Sequence, residues 1–200
     1  MKKVVIYVRN KNIRPSDYYR VVQYTKGFDA NVIIRSAIPD KIDRWCLDAK
    51  QKSIVRIISL ISCYFFILVN FLRGYVQDKK IQPDAVIVVR EIFPRKMIFP
   101  FGKILMRQCQ QFNYIWDFDD SIIGTEISDQ EAEIYLQYAK QIVVSTPYLK
   151  EHLPERVWNK TCVLPTTDGD LSNLNLCSVN EKRRETYKSI IKYCMGCNNQ

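Results

Sequence analysis

Short, nearly continuous apolar runs alternate along this chain with longer segments of helical character. The runs Lys3 to Val8, Ala30 to Arg35, Ala85 to Arg90, Asn113 to Asp117, Gln141 to Ser145 and Thr161 to Leu164 are rich in Val and Ile. They lack the in-out alternation of a half-solvated strand, which is the pattern of parallel strands covered on both faces. Between them the spacing predicts helices over Ser16 to Thr25, Lys52 to Gln77, Lys96 to Gln110, Ser128 to Tyr138 and Pro147 to His152. Ser16 and Ser128 are the expected N-caps, and Glu131, three residues after Ser128, completes the sequence of a capping box. Repeated alternation of strand and helix predicts right-handed crossovers and an α/β, Rossmann-like, doubly wound and mainly parallel sheet. After about Asp170 the pattern changes, so the expected domain spans 1–170 and 171–200 is a polar, basic tail with one helix near Glu181 to Tyr193.

One helical segment stands apart. Ile57 to Leu72 reads IISLISCYFFILVNFL between Arg56 and Arg73. The uncharged run falls short of the roughly 20 residues a spanning helix needs. Two readings stay open: a helix buried against the sheet, or a peripheral membrane contact through 54–76 in which flanking cations meet anionic headgroups.

Composition narrows the class. The 200 residues are 47% hydrophobic and 26% charged, which suits a folded domain with a real core, and the formal net charge of +9 favours an anionic partner or surface. The basic residues are spread out and form no recognised nucleic-acid motif, so no nucleic-acid partner is expected. The seven cysteines are odd in number and scattered. Cys63, Cys109 and Cys162 lie in apolar segments, as reduced cysteines do in a cytoplasmic protein. Cys194 and Cys197 have metal or redox spacing but stand alone, and no metal or cofactor is expected. Met1-Lys2-Lys3 leads straight into a strand-like run, so no signal peptide is expected at this end.

In parallel sheets ligands bind outside the carboxyl ends of the strands. Those ends carry the candidate chemistry. Trp116-Asp117-Phe118-Asp119-Asp120 clusters three carboxylates after one strand. Such a cluster either caps a following helix and meets solvent, or hydrogen-bonds a polar substrate; metal binding by it ranks lower. Arg90-Glu91 follows another strand, with Pro94-Arg95-Lys96 nearby, and Arg14 and Arg20 flank the first strand-to-helix connection. An arginine there can bind phosphate or carboxylate bidentately, or simply pair with Asp17 or Glu91. The first strand is followed by no dinucleotide glycine fingerprint, and the chain has no phosphate-binding P-loop and no nucleophile elbow. His152, the only histidine, is expected to bond carbonyls at a helix end.

Taken together, these elements resemble the N-terminal domain of the family 4 (group 1) glycosyltransferases. The resemblance rests on Tyr114-Ile115-Trp116-Asp117-Phe118-Asp119-Asp120, then Ile142-Val143-Val144-Ser145-Thr146-Pro147-Tyr148-Leu149, then Val163-Leu164-Pro165-Thr166-Thr167-Asp168. Pro15-Ser16-Asp17-Tyr18-Tyr19-Arg20-Val21 is similar to the family's first loop and helix, though Asn10-Lys11-Asn12-Ile13 stands where the family has glycines. The resemblance covers about residues 1–170 and implies one half of a GT-B architecture: the acceptor-binding half, without the donor domain and its Glu-x7-Glu motif. It implies a saccharide or lipid-linked acceptor, held by Asp117, Asp119, Asp120, Arg14, Arg20 and Arg90. A nucleotide-sugar would bind only if a second domain is supplied. The implied setting is cell-surface polysaccharide synthesis, in the cytoplasm or at the inner membrane face. The residue-level alternative is a non-catalytic α/β module that binds an anionic partner or membrane surface.

Overall fold

The computed structural model describes residues 1–27, 29–49, 54–93 and 97–165. The expectations for Pro94 to Lys96, Thr166 to Asp170, the tail 171–200 and Cys194 and Cys197 lie outside the described residues. Six strands form one sheet: β1 (Lys2–Val8), β2 (Ala30–Ser36), β3 (Ala85–Val89), β4 (Tyr114–Phe118), β5 (Gln141–Val144) and β6 (Thr161–Val163). Every pairing is parallel and the order is β2-β1-β3-β4-β5-β6. The fold is α/β and Rossmann-like, with all six strands where the apolar runs predict them.

Among the described residues six α-helices accompany the sheet: α1 (Pro15–Arg20), α2 (Asp40–Asp48), α3 (Ile54–Ile81), α4 (Phe101–Gln111), α5 (Asp129–Tyr138) and α6 (Pro147–Glu151). The sequence reading missed α2. Its nine residues carry four aspartate and arginine or lysine charges before Trp45, and only Ile42 and Cys46 face the core fully enough to mark a helical stripe. Ser16 is not an N-cap: α1 starts one residue earlier on Pro15, whose fixed φ and missing N–H suit the first turn, and Arg14 takes the cap position. After α1 the chain tightens into a 3-10 segment, Val22–Gly27. Ser128 caps α5, accepting from the Glu131 amide, and His152 Nδ1 meets the Tyr148 carbonyl at 2.8 Å at the end of α6. The long α3 stops at Gln82, which takes the left-handed conformation (φ 51°) and returns its amide to the Asp78 carbonyl; Pro83 then forbids another turn.

The main core lies on one face of the sheet, where Val5, Val86, Val88, Tyr114, Trp116, Phe118, Ile142 and Val144 meet α3, α4 and α5. A smaller cluster on the other face packs Ile6, Val8 and Val89 against Val21 after α1. Among the described residues that second face is less covered: Ile87, Ile115, Val143 and Cys162 line an apolar groove of about 510 Å³.

A buried polar knot holds α3 to the sheet. Tyr7 Oη donates to Asp78 at 2.5 Å, Arg35 binds the same carboxylate at 2.6 Å, and Gln108 of α4 donates to it at 3.1 Å. Burial, and then the Asp78 charge, push the Tyr7 hydroxyl well above its ordinary range, so it stays a donor. The helix can approach this closely because residue 74 has no side chain: a Cβ on Gly74 would stand 2.6 Å from Tyr7 Oη. Gly74→Ala is therefore expected to force the Tyr7–Asp78 contact apart and to cost about 1–3 kcal/mol despite the better helix propensity of alanine. A denaturant midpoint at or above that of the parent would show that the approach is not tight.

Candidate functional site

The strand order reverses beside β1: the chain steps from β1 to β2 on one side, then crosses back over β1 to β3 on the other. This is the switch point where crossovers diverge and leave a crevice at the carboxyl edge. Here the crevice holds about 480 Å³ and is lined by Arg9, Arg14, Arg56, Glu91 and Glu126, with Leu60, Cys63, Tyr64 and Ile67 of α3 as its apolar wall.

The loop after β1 is ordered by Asn10 rather than by glycine. Buried Asn10 accepts from the Asn12 and Ile13 amides through Oδ1 at 2.9 and 3.0 Å, and donates through Nδ2 to the Ile38 carbonyl and to Asp40. Its own amide donates to Asp17 at 2.8 Å. An asparagine side chain folding its own backbone into a turn does the work of a tight glycine loop. Burial pushes the Asp17 carboxyl up to about 6, against the pull of the Asn10 amide and of Arg9.

The sequence-predicted residues all lie along the carboxyl edge, but in three separate pairings. Arg14 binds Asp43 of α2 through two parallel bonds of 3.0 and 2.6 Å. Arg20 reaches across the sheet to Asp117 at 2.6 Å and also holds the Leu164 carbonyl at 3.0 Å. This pair is nearly dry, with the Arg20 side chain 3% and the Asp117 side chain 8% exposed. It stands at the end of the second-face groove, not in the crevice. Burial pushes the Asp117 carboxyl up to about 6 in spite of Arg20. Arg90 gathers the rest: Asp119 at 3.0 Å, Asp120 at 2.8 Å and Glu126 at 2.6 Å. The aspartate trio is thus divided, Asp117 serving Arg20 while Asp119 and Asp120 serve Arg90.

Arg90 also carries backbone strain. Its φ is 65°, a conformation uncommon for a side chain of this size. Trp116 Nε1 fixes the Arg90 carbonyl at 2.7 Å and three carboxylates fix its head, which holds the residue in place at both ends. The turn aims the next residue, Glu91, inward.

Glu91, expected from the sequence only as an ion-pair partner for an arginine, is deeper than that expectation implies. Its side chain is 4% exposed, Oε1 is 3.5 Å from Arg9, and Oε2 accepts no hydrogen bond among the described residues; Arg90 Nε stands 3.8 Å away. Arg9 Nε is likewise unpartnered. Burial raises the Glu91 carboxyl to about 7, with Arg9 and Arg90 pulling it back down. A buried carboxyl with one unpartnered oxygen, on a residue that lines a crevice beside an arginine, has acceptor capacity left for a hydroxyl or amine. Only its place directly after a buried strand signalled this in the sequence.

The chain matches no protein-family model, no curated protein and no solved structure. The crevice must therefore be read from its own chemistry. Behind it, Glu131 of α5 secures the loop that carries Glu91. Its buried carboxylate accepts from the Ile92 amide at 2.8 Å, the Phe93 amide at 3.1 Å and Tyr135 Oη at 2.9 Å. This corrects the capping-box expectation: Ser128 does its half, but the Glu131 side chain turns away from the Ser128 amide because two loop amides and a tyrosine need an acceptor in the core. Among the described residues no group of three or more His, Cys, Asp or Glu side chains is arranged to hold a metal ion. The charges that the crevice does offer, guanidinium beside carboxyl, suit a ligand that carries both phosphate and hydroxyl groups.

Proposed function

We propose that this chain is the acceptor-side half of a sugar transferase, and that its switch-point crevice receives a phosphorylated, saccharide or lipid-linked acceptor. The observation that carries the reading is that Arg9, Arg14 and Arg56 line the same crevice as Glu91, whose Oε2 accepts no hydrogen bond among the described residues, at the reversal of strand order. The arginines supply the attraction for phosphate, and Glu91 accepts a hydrogen bond from an acceptor hydroxyl and orients it. The resemblance of Asn113 to Thr167 to the family 4 glycosyltransferases supports the same reading. So does the parallel sheet, whose carboxyl edge would face a second domain carrying the nucleotide-sugar. Arg20 and Asp117 then act as the tie that joins α1, β4 and the end of β6, and Arg90 with Asp119 and Asp120 as the frame that aims Glu91.

The direct test is calorimetric binding of a soluble, short-chain lipid-phosphate-linked saccharide to the full chain. Binding is expected to tighten as pH rises through about 7, where Glu91 ionises and its bond to a hydroxyl becomes charge-assisted. Glu91→Gln keeps the shape, is expected to weaken binding about tenfold above that pH, and removes the pH dependence. No uptake of any such acceptor by the parent chain, or equal affinity in parent and variant across the pH range, would refute the assignment. A transfer assay with a donor-binding domain supplied in trans then separates acceptor binding from catalysis.

A further inference from the structure

The helix α3 is apolar on both sides, and among the described residues only one side is packed against the fold. Ser59, Cys63, Ile67, Phe71, Gly74 and Asp78 are buried against the sheet. On the opposite side Ile54, Ile58, Ile61, Phe65, Leu72 and Val76 are exposed, Ile61 and Phe65 by 64% and 61%. At 100° per residue these six positions fall within one narrow stripe that runs the length of the helix. In the stretch that leads into α4, Ile98 and Phe99 are exposed as well, Phe99 by 80%. A stripe of this length is more than scattered surface residues account for.

The charges on α3 as far as Gln77, and on the stretch that leads into and forms α4, have one sign. From Ile54 to Gln77 the helix carries Arg56 and Arg73 and no acidic residue; its first, Asp78, is buried and paired with Arg35. Lys79 and Lys80 continue the exposed stripe past Val76. On the neighbouring stretch, Met97 to Gln111 carries Lys103 and Arg107 and again no acid, with Lys103 Nζ 5.3 Å from the centre of the Phe99 ring. An apolar stripe bordered by cations complements an anionic bilayer surface, which takes the apolar side chains among its acyl chains and meets the cations with its headgroups.

We infer that α3 lies flat in the headgroup region of an anionic membrane, with its exposed stripe and Phe99 inserted and Arg73, Lys79, Lys80 and Lys103 at lipid phosphates. By length and composition the helix could cross a bilayer. Its inner face, however, is fixed to the sheet along the same length by Cys63, Ile67 and Phe71, by Asn70 bonded to the Ala37 carbonyl at 2.9 Å and by Asp78. Crossing would strip those contacts, whereas lying flat keeps them all. The inference does not depend on any transfer activity.

The test is co-flotation of the full chain with vesicles of phosphatidylcholine alone and of phosphatidylcholine with phosphatidylglycerol, at low and high salt. Binding is expected on the anionic vesicles only, and to weaken with salt. Lys79→Gln and Lys80→Gln are each expected to lower the vesicle partition coefficient about fivefold. Ile61→Ser with Phe65→Ser is expected to abolish flotation while leaving the thermal unfolding midpoint in place, because both side chains are exposed. Absence of flotation in the parent, equal binding to neutral vesicles, or retention in the bilayer after alkaline extraction would overturn the inference. So would a concentration-dependent dimer in sedimentation that the same serine pair dissolves and that never binds lipid.

Discussion

Asp117→Ala is expected to be the most destabilising single change, costing about 3–5 kcal/mol. It would leave the Arg20 guanidinium without its carboxylate in a site where that side chain is 3% exposed, held between α1, β4 and the Leu164 carbonyl. The loss comes from depriving a nearly dry guanidinium of this carboxylate more than from the attraction itself. A second variant separates those causes. Arg20→Met combined with Asp117→Leu removes both charges and keeps the volume, and is expected to recover most of the stability. Urea denaturation of the three proteins measures it. If Asp117→Ala lies within about 1 kcal/mol of the parent, or the double variant is no better than the single, the pair is not a dry one.

Glu131 gives the second large effect, and its sign is opposite to that of an ordinary surface carboxylate. Burial raises this carboxyl from 4.5 to about 8, in spite of the amides of Ile92 and Phe93 and the Tyr135 hydroxyl that bond to it. Between those two values the folded protein holds a proton that the unfolded chain releases. Stability is therefore fully present below about pH 4.5 and is lost as the pH rises through about 8, by on the order of a few kcal/mol from this group. Glu91, at about 7, and Asp17 and Asp117, at about 6, add to the same slope over the lower part of the window. Glu131→Gln cannot ionise, so its denaturant midpoint is expected to vary much less between about pH 5 and about pH 8. Glu131→Ala strips three donors of their acceptor and is expected to cost about 3 kcal/mol at the lower pH. A parent protein whose midpoint rises across that range would contradict the burial of this carboxyl.

The strands were legible because each is a short apolar run bounded by Asn, Asp, Pro or a charge, and burial on both faces leaves little else it can be. Asn113 before β4 and Pro83-Asp84 before β3 mark such edges. Helix α2 was not legible, since a short helix with one narrow apolar edge, Ile42 and Cys46, has the composition of a loop. The candidate site was legible as a list but not as an arrangement. Arg20 and Asp117 are 97 residues apart, and nothing local to either says that they satisfy one another. Glu91 and Glu131 look like any surface glutamates in sequence; their weight comes from depth, which depends on which turn of α5 lies behind the loop after β3. Local pattern sets which segments pack, whereas carboxylate burial is decided by side chains from three or four segments at once.

One consequence follows from the two-sided use of α3. Leu60, Cys63, Tyr64 and Ile67 form a wall of the crevice, while Ile61 and Phe65, interleaved with them, look outward. The same few turns are both partition and outer skin, so only the thickness of a single helix, about 10 Å, stands between the crevice and whatever rests against the outside. A molecule anchored there by a greasy tail would need no more than a short polar neck to carry its head around the helix edge to Glu91, and a freely diffusing one would have no such guide.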